Sequence, residues 1–109
     1  MMGDAYTPNV PLITLRYLKD HGPICATIGT VPTLRPRPYD KAQRLYVIVR
    51  LDTGVWRGLF LTIDSEGRLS EKFGPRVEDW VGKRVKVSVG CLMKGDVQVE
   101  AIQVEPLEG

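Results

Sequence analysis

Aromatic and arginine side chains alternate with aliphatic ones over residues 44–63 of this chain. Asp52-Thr53-Gly54 separates the two halves and predicts a turn between two strands. Because the side chains of a strand alternate between the two faces of its sheet, one face of this hairpin is predicted to be apolar core. The other face would carry rings that stack on bases and guanidinium groups that neutralise phosphates. That face consists of Arg44, Tyr46, Arg50, Trp56, Gly58, Phe60 and Thr62.

Charge is distributed unevenly along the chain, although the net charge is only +2. Residues 35–57 contain six basic and two acidic side chains, and residues 100–109 contain three glutamates and no base. A basic middle suits a polyanionic partner. The alternative is a solvated sheet edge, where positive charges discourage pairing with other strands. The candidate phosphate contacts are Arg35, Arg37, Lys41, Arg44, Arg50, Arg57, Arg84 and Lys86.

Other reactive side chains are few. His21 is the only histidine, and Cys25 and Cys91 both lie in alternating apolar runs. We expect both cysteines to be reduced and buried, with a disulfide left open because neighbouring strands could bring them close. The chain has no zinc-ligand spacing, glycine-rich phosphate loop or Ser-His-Asp pattern. The sequence therefore predicts no enzyme, no cofactor and no metal.

Length and composition indicate one soluble domain over residues 1–109. Hydrophobic residues make up 43% and charged residues 26%, which is typical of a globular protein. No apolar run approaches the roughly 20 residues of a spanning helix, and the N-terminus lacks a signal pattern. We expect a cytoplasmic protein without a membrane partner. A single asparagine, three glutamines and eight prolines fit a thermophilic source.

The order of elements is three strands, one helix and two strands. Residues 1–11 are predicted to be a flexible arm, and residues 12–18 have no clear type. Strands are predicted over residues 24–34, 44–51, 55–63, 83–93 and 97–104, with a bend at Gly29. A helix is predicted over residues 65–73, capped by Ser65 or Asp64 and ended by Gly74-Pro75. The predicted core comprises Val47, Val49, Leu59, Leu61, Val85, Val87, Val89 and Ile102, with Trp80 at one end.

This order predicts an all-β protein: a five-stranded OB-fold-like Greek-key barrel with one short helix between strands three and four. An SH3-like barrel is the main alternative, although it usually lacks that helix. Strands two and three of an OB-fold form its usual binding face. In this chain they carry Tyr46, Trp56 and Phe60.

Two stretches resemble small OB-type proteins of phage and prophage replication regions. "FGPRVEDWVGKRVKVSV" from Phe73 and the later "VEAIQVEP" are similar to the blocks that start the fourth and end the fifth strand of those proteins. "YLKD" at residues 17–20 is similar to their N-terminal pattern. The resemblance implies a role in DNA maintenance and no catalytic residue. The chain departs from it at Lys94-Gly95-Asp96, where those proteins usually carry a Gly-Lys turn.

We therefore expect binding of single-stranded nucleic acid with little sequence preference, DNA being favoured and RNA left open. A protein-interaction or self-assembly surface is the alternative, because Trp, Tyr and Arg are also enriched at subunit interfaces. A homo-oligomer is compatible with that alternative. A register shift of one residue in either strand would exchange the two faces of the hairpin.

Overall fold

A computed structural model describes residues 10–38 and 40–107, so most of the predicted arm lies outside the described residues. Six strands and two helices form the described part, with a 3₁₀ turn at Val77–Trp80. The helices are α1 (Leu15–His21) and α2 (Ile63–Phe73). The strands are β1 (Ile24–Ile28), β2 (Thr33–Pro36), β3 (Gln43–Leu51), β4 (Trp56–Phe60), β5 (Arg84–Lys94) and β6 (Val97–Pro106).

The strands are antiparallel and form one open sheet in the order β2-β3-β1-β5-β6, with β4 also paired to β3. Tyr46 of β3 pairs with Thr33 on one side and with Phe60 on the other, so β2 and β4 flank β3. Val49 pairs with Ile28 on one side and with Arg57 on the other, so β1 lies on the same side of β3 as β2. The single first strand predicted over residues 24–34 is therefore two collinear strands.

The break between β1 and β2 explains why the structure has six strands and not five. Thr30 leaves the ladder and its Oγ1 accepts the N–H of Ile48 at 3.0 Å, in place of a backbone carbonyl. Pro32 follows and cannot donate to a ladder. Closure of the sheet into a barrel is a second difference from the prediction. Within residues 10–38 and 40–107 no ladder joins β4 to β5 or β6.

Helix α2 packs against the end of β6, at Val104 and Glu105. Ser65 is fully buried, and its Oγ accepts the N–H of Val104 at 3.0 Å and the hydroxyl of Thr62 at 2.9 Å. Thr62 is the N-cap, since its Oγ1 accepts the N–H of Ser65 at 3.1 Å. The predicted caps, Ser65 and Asp64, are therefore inside the helix. Ile63, predicted as the end of a core strand, is the first helical residue and is 66% exposed.

The alternation of the sequence correctly predicts most of the core. Val47, Val49, Leu59, Leu61, Val85 and Val87 are all buried. Val89 and Ile102 are only partly buried, because the β5–β6 hairpin extends past the packed body. Trp80 is buried as predicted, and its Nε1 donates to the carbonyl of Gly74 at 2.9 Å.

The prediction that both cysteines are buried is wrong. Both are free, but Cys25 is half-buried and Cys91 is exposed. Cys91 pairs with Glu100 near the end of the β5–β6 hairpin, beyond the reach of the core. An alternating apolar run therefore did not mark a buried strand at that position.

Gly67 offers a stability test that leaves the core untouched. It lies exposed inside α2, and a Cβ atom there would meet no atom within 4 Å. We expect Gly67→Ala to raise the free energy of unfolding by about 0.5–1 kcal/mol, because alanine loses less backbone entropy in a helix. Denaturant unfolding measures the change. Gly74→Ala is the matched control, expected to be destabilising because Gly74 has φ +103. Equal effects in the two variants would contradict this account of α2.

Candidate nucleic-acid interface

A row of side chains crosses the side of the sheet that faces away from the core. Cross-strand pairing connects, in order, Trp56 of β4, Arg50 of β3, Thr27 of β1 and Arg84 of β5. Paired residues project to the same side of a sheet, and neighbouring strands lie about 4.8 Å apart. The row therefore spans roughly 14 Å from β4 to β5. We call this side of β1, β3, β4 and β5 the outer face.

Trp56 is the exposed aromatic ring of the outer face, with 46% of its surface accessible. The indole lies against the backbone of Gly29: a Cβ atom at that position would come within 2.4 Å of Cζ3 of Trp56. Gly29 is held in place because its N–H donates to the carbonyl of Ile48 at 2.8 Å. The glycine thus gives the ring a backbone support while leaving much of the ring in solvent.

Tyr46 is nearly buried, with 9% of its surface accessible. Its ring covers Gly58, where a Cβ atom would lie 2.3 Å from the phenol oxygen. Phe60 packs beside Tyr46 at 5.0 Å between ring centroids. The Arg35 guanidinium lies 4.7 Å from the centre of the Tyr46 ring. The three rings expected to be exposed together are therefore not: Trp56 is exposed, Phe60 is half-buried, and Tyr46 is buried against Phe60 and Arg35.

Three cations of the outer face lie near Trp56 or along its row. Arg50 is exposed and has no hydrogen-bond or ion-pair partner within the described part of the chain. Arg84 donates from Nη2 to Oδ2 of Asp52 at 2.6 Å, and both side chains are about half exposed. Lys86 follows on β5, also exposed, opposite Cys25. The Asp52 carboxylate lies on the same face as these cations.

Arg57 projects from β4 to the opposite side from its neighbour Trp56. Its guanidinium lies 3.9 Å from the ring centre of Tyr17, and Nη1 donates to the carbonyl of Leu12 at 3.0 Å. His21 stacks on the same Tyr17 ring at 4.1 Å between centroids. These contacts attach α1 and the segment before it to β4. The structure therefore does not place Arg57 with the other candidate residues.

Arg37, Lys41 and Arg44 lie at or beside the β2–β3 connection. Arg37 donates to both carboxylate oxygens of Asp40. That hydrogen bond, followed by one from the Ala42 amide, lowers the pKa of the Asp40 carboxyl below its ordinary value. Lys41 adopts a left-handed backbone with φ 61, and Arg44 donates from Nη1 to the carbonyl of Gln43 at 2.8 Å. These three cations lie at the far end of β3 from Arg50.

The outer face includes three residues that sequence reasoning did not assign to a site. Thr27 fills the position between Arg50 and Arg84, Gly29 supports Trp56, and Asp52 pairs with Arg84. Asp52 has the same parity along the chain as Arg50, so alternation alone could have placed it on this face. Thr27 and Gly29 required knowledge that β1 is the neighbour of β3.

No three His, Cys, Asp or Glu side chains in residues 10–38 and 40–107 are grouped so that they could hold a metal ion. No helix within those residues is long and apolar enough to cross a membrane. A groove lies between the start of α2 and the β5–β6 hairpin, lined by Thr62, Asp64 and Arg68 on one side and by residues of β5 and β6 on the other.

Comparisons with known proteins give no further indication of function. No family model matches the sequence, and no significant match is found among curated proteins or solved structures.

Proposed function

We propose that the outer face binds single-stranded nucleic acid without catalysing a reaction. The observation that carries this proposal is the cross-strand pair of the exposed Trp56 with Arg50, whose guanidinium has no partner among the described residues. An indole stacks on any base, and an adjacent guanidinium neutralises the phosphate that the base carries with it. Arg84 and Lys86 extend the cationic surface two strands further.

The geometry favours a single strand over a duplex. One exposed ring reaches only an unpaired base, since bases in a duplex are stacked on one another. Stacking is expected to contribute about 1–3 kcal/mol for that base. Contacts from Arg50, Arg84 and Lys86 would give a slope of log affinity on log salt of about −2, at roughly −0.7 per phosphate for single strands. We infer single-stranded DNA as the first ligand to test, with RNA as the second.

We further infer an OB-like architecture as the scaffold of this face. Counting the collinear β1 and β2 as one bent strand gives five strands, with α2 between the third and the fourth. In an OB-fold the outer surface of strands two and three binds the ligand, and these correspond to β3 and β4. The bend at Gly29 is where a small barrel turns its first strand.

A salt titration with labelled oligonucleotides tests the proposal. We expect a single-stranded 12-mer to bind more tightly than the same sequence as a duplex, and to do so with a linear dependence of log affinity on log salt. Quenching of Trp56 fluorescence reports stacking, while Trp80 is buried and gives a constant background. Binding of the duplex alone, or no binding at low salt, would contradict the proposal.

Substitution of Asp52 is expected to strengthen binding, whereas most substitutions at a binding site weaken it. We expect Asp52→Asn to tighten single-strand binding roughly 1.5- to 5-fold. An exposed ion pair contributes about 0.2–1 kcal/mol, and in the variant Arg84 does not have to break its ion pair with residue 52 before it contacts a phosphate. The salt slope should stay near about −2, because Arg84 contacts its phosphate with or without Asp52. In an Arg84→Ala background the same substitution should no longer tighten binding by this factor. An equal gain in affinity in that background would show that Asp52 does not act through Arg84.

The alternative function is a protein-interaction surface at the same place. Val55 and Val31 are 48% and 43% exposed and lie next in sequence to Trp56 and close to Gly29. A Trp with exposed aliphatic neighbours and an Arg is also the composition of an interface centre. The oligonucleotide titration separates the two functions, because an interface of this kind has no reason to prefer single strands over duplex.

A further inference from the structure

The three edges of the sheet differ in how they are protected. On β4, the N–H of Gly58 donates to Pro11 and the carbonyl of Gly58 accepts from Ile13, at 2.9 and 2.8 Å. The short β2 edge carries Pro36 and Arg35, and proline and positive charge both discourage pairing. The outer edge of β6 over residues 97–102 pairs with no strand and contains no lysine, arginine or proline within the described part of the chain, while Lys19 of α1 forms an ion pair with the Glu100 side chain.

One hydrogen bond shows which backbone groups of β6 point away from β5. The N–H of Val104 points away from β5, because it donates to Oγ of Ser65 on α2. The β5–β6 register runs one to one from Val85–Pro106 to Lys94–Val97, so N–H and C=O groups alternate in direction without interruption. Gln98, Glu100 and Ile102 therefore direct their backbone N–H and C=O groups outward, with no strand to receive them among the described residues.

We propose that a second copy of this chain pairs with this edge, forming a two-fold symmetric dimer through antiparallel β6 strands. A two-fold axis at Val99 makes each Gln98 exchange backbone hydrogen bonds with Glu100 of the second copy. It also places the Gln98 amide beside the Glu100 carboxylate of the second copy, whose Oε1 accepts from Lys19 of its own chain and whose other oxygen can accept from the amide. The edge is therefore complementary to itself at this register.

The neighbouring registers are less favourable. An axis at Glu100 would place two carboxylates directly opposite each other, and like charges in that position are destabilising. An axis at Ala101 would bring Gln98 of the second copy to Val104, whose N–H already donates to Ser65. Of these three registers, only the axis at Val99 uses outward backbone groups that are unpaired among the described residues and avoids a pair of opposed glutamates.

The side chains on one side of the dimer sheet would form a continuous apolar strip. Val97, Val99 and Ala101 project to the same side of β6, and Leu92 is the partner of Val99 on β5. Val97 is 61% exposed, and Leu92, Val99 and Ala101 are only partly covered. Two copies would bring the two Val99 side chains into the closely spaced, non-hydrogen-bonded position, where cross-strand contacts are shortest. This strip lies on the same side of β5 as Arg84 and Lys86, six residues beyond Lys86 toward the hairpin turn.

Sedimentation of the full chain from about 10 µM to 1 mM tests the dimer. We expect concentration-dependent dimerisation, abolished by Gln98→Pro, because proline removes an outward N–H without removing a β5 ladder bond. Gln98→Ala, which keeps that N–H, is the matched control and should still dimerise. A monomer throughout this range, or a dimer that Gln98→Pro leaves intact, would overturn the proposal.

Charge substitutions that keep the backbone test the register even if Gln98→Pro fails to fold. Gln98→Glu places like charges at both symmetric positions and should weaken dimerisation roughly 2- to 30-fold, while Gln98→Lys should strengthen it by a similar factor. The two variants should shift dimerisation in opposite directions by charge alone. No difference between them would overturn the Val99 axis. Binding of single strands is measured separately, so failure of the dimer leaves the proposed function standing.

Discussion

Leu61→Ala is expected to lower the free energy of unfolding by about 2–5 kcal/mol. Leu61 is 1% exposed, directly after β4, and its N–H donates to the carbonyl of Leu45 at 2.9 Å. It belongs to the same buried cluster as Leu69 and Trp80, so shortening it leaves a cavity that rigid neighbours fill only partly. Because the backbone hydrogen bond remains, the loss reports packing and not ladder pairing.

The midpoint and slope of denaturant unfolding measure this loss. The midpoint should fall while the slope stays constant, as expected for a change in stability alone. Leu34→Ala is the matched control: Leu34 is 65% exposed on β2, and its truncation should change stability by no more than about 0.5 kcal/mol. Similar effects of the two substitutions would show that Leu61 is not a core residue.

The faces of the β3–β4 hairpin were predictable from the sequence because apolar alternation sets a register. A slip of one residue would expose Val47 and Val49 and bury Arg50, at a cost that packing of the core cannot offset. The same alternation places Arg57 with Leu59 on the core side. Arg57 was grouped with the outer-face cations because of its charge alone, although its position in the alternation indicates the other face. Its actual partner, Tyr17, could not be found without the position of α1.

The burial of Tyr46 could not be predicted from its own strand. The residue projects from the outer face as expected, but Gly58 opens a space across the β3–β4 ladder that the ring fills. Arg35 then covers the ring from β2, which the sequence had merged into the first strand. Side-chain direction follows from alternation, whereas exposure depends on which neighbours a tertiary arrangement brings over it.

The open edge of β6 illustrates the same difference. Sequence alternation correctly identified a strand over residues 97–104. Whether its outer groups meet another strand, a helix or solvent depends on sheet order, and here α2 contacts β6 through Val104 and Glu105. The predicted barrel assumed that the edges of the sheet meet. In the described part of the chain, the helix between β4 and β5 lies along β6 instead.

Trp56→Ala is expected to weaken single-strand binding by about 1–3 kcal/mol, or roughly 5- to 150-fold in Kd. The ring is 46% exposed and lies beside Arg50, so its removal deletes the stacking surface and leaves the cation in place. The salt slope should therefore stay constant, which distinguishes this variant from Arg50→Ala, where the slope should fall by about 0.7. Trp56→Phe should retain part of the affinity. Ile63→Ala, which truncates an exposed apolar residue on α2, should retain all of it.

Gly29→Ala tests whether binding depends on the position of the Trp56 ring as well as on its presence. A methyl group at Gly29 would lie 2.4 Å from Cζ3 of Trp56, so the indole must move away from its support. We expect binding to weaken although Trp56 remains, and the fluorescence of the free protein to change because the ring enters a different environment. Oligonucleotide titration and fluorescence of each variant give both readouts. If Trp56→Ala leaves single-strand affinity unchanged at low salt but prevents association with another protein, the ring belongs to an interface and the nucleic-acid proposal fails.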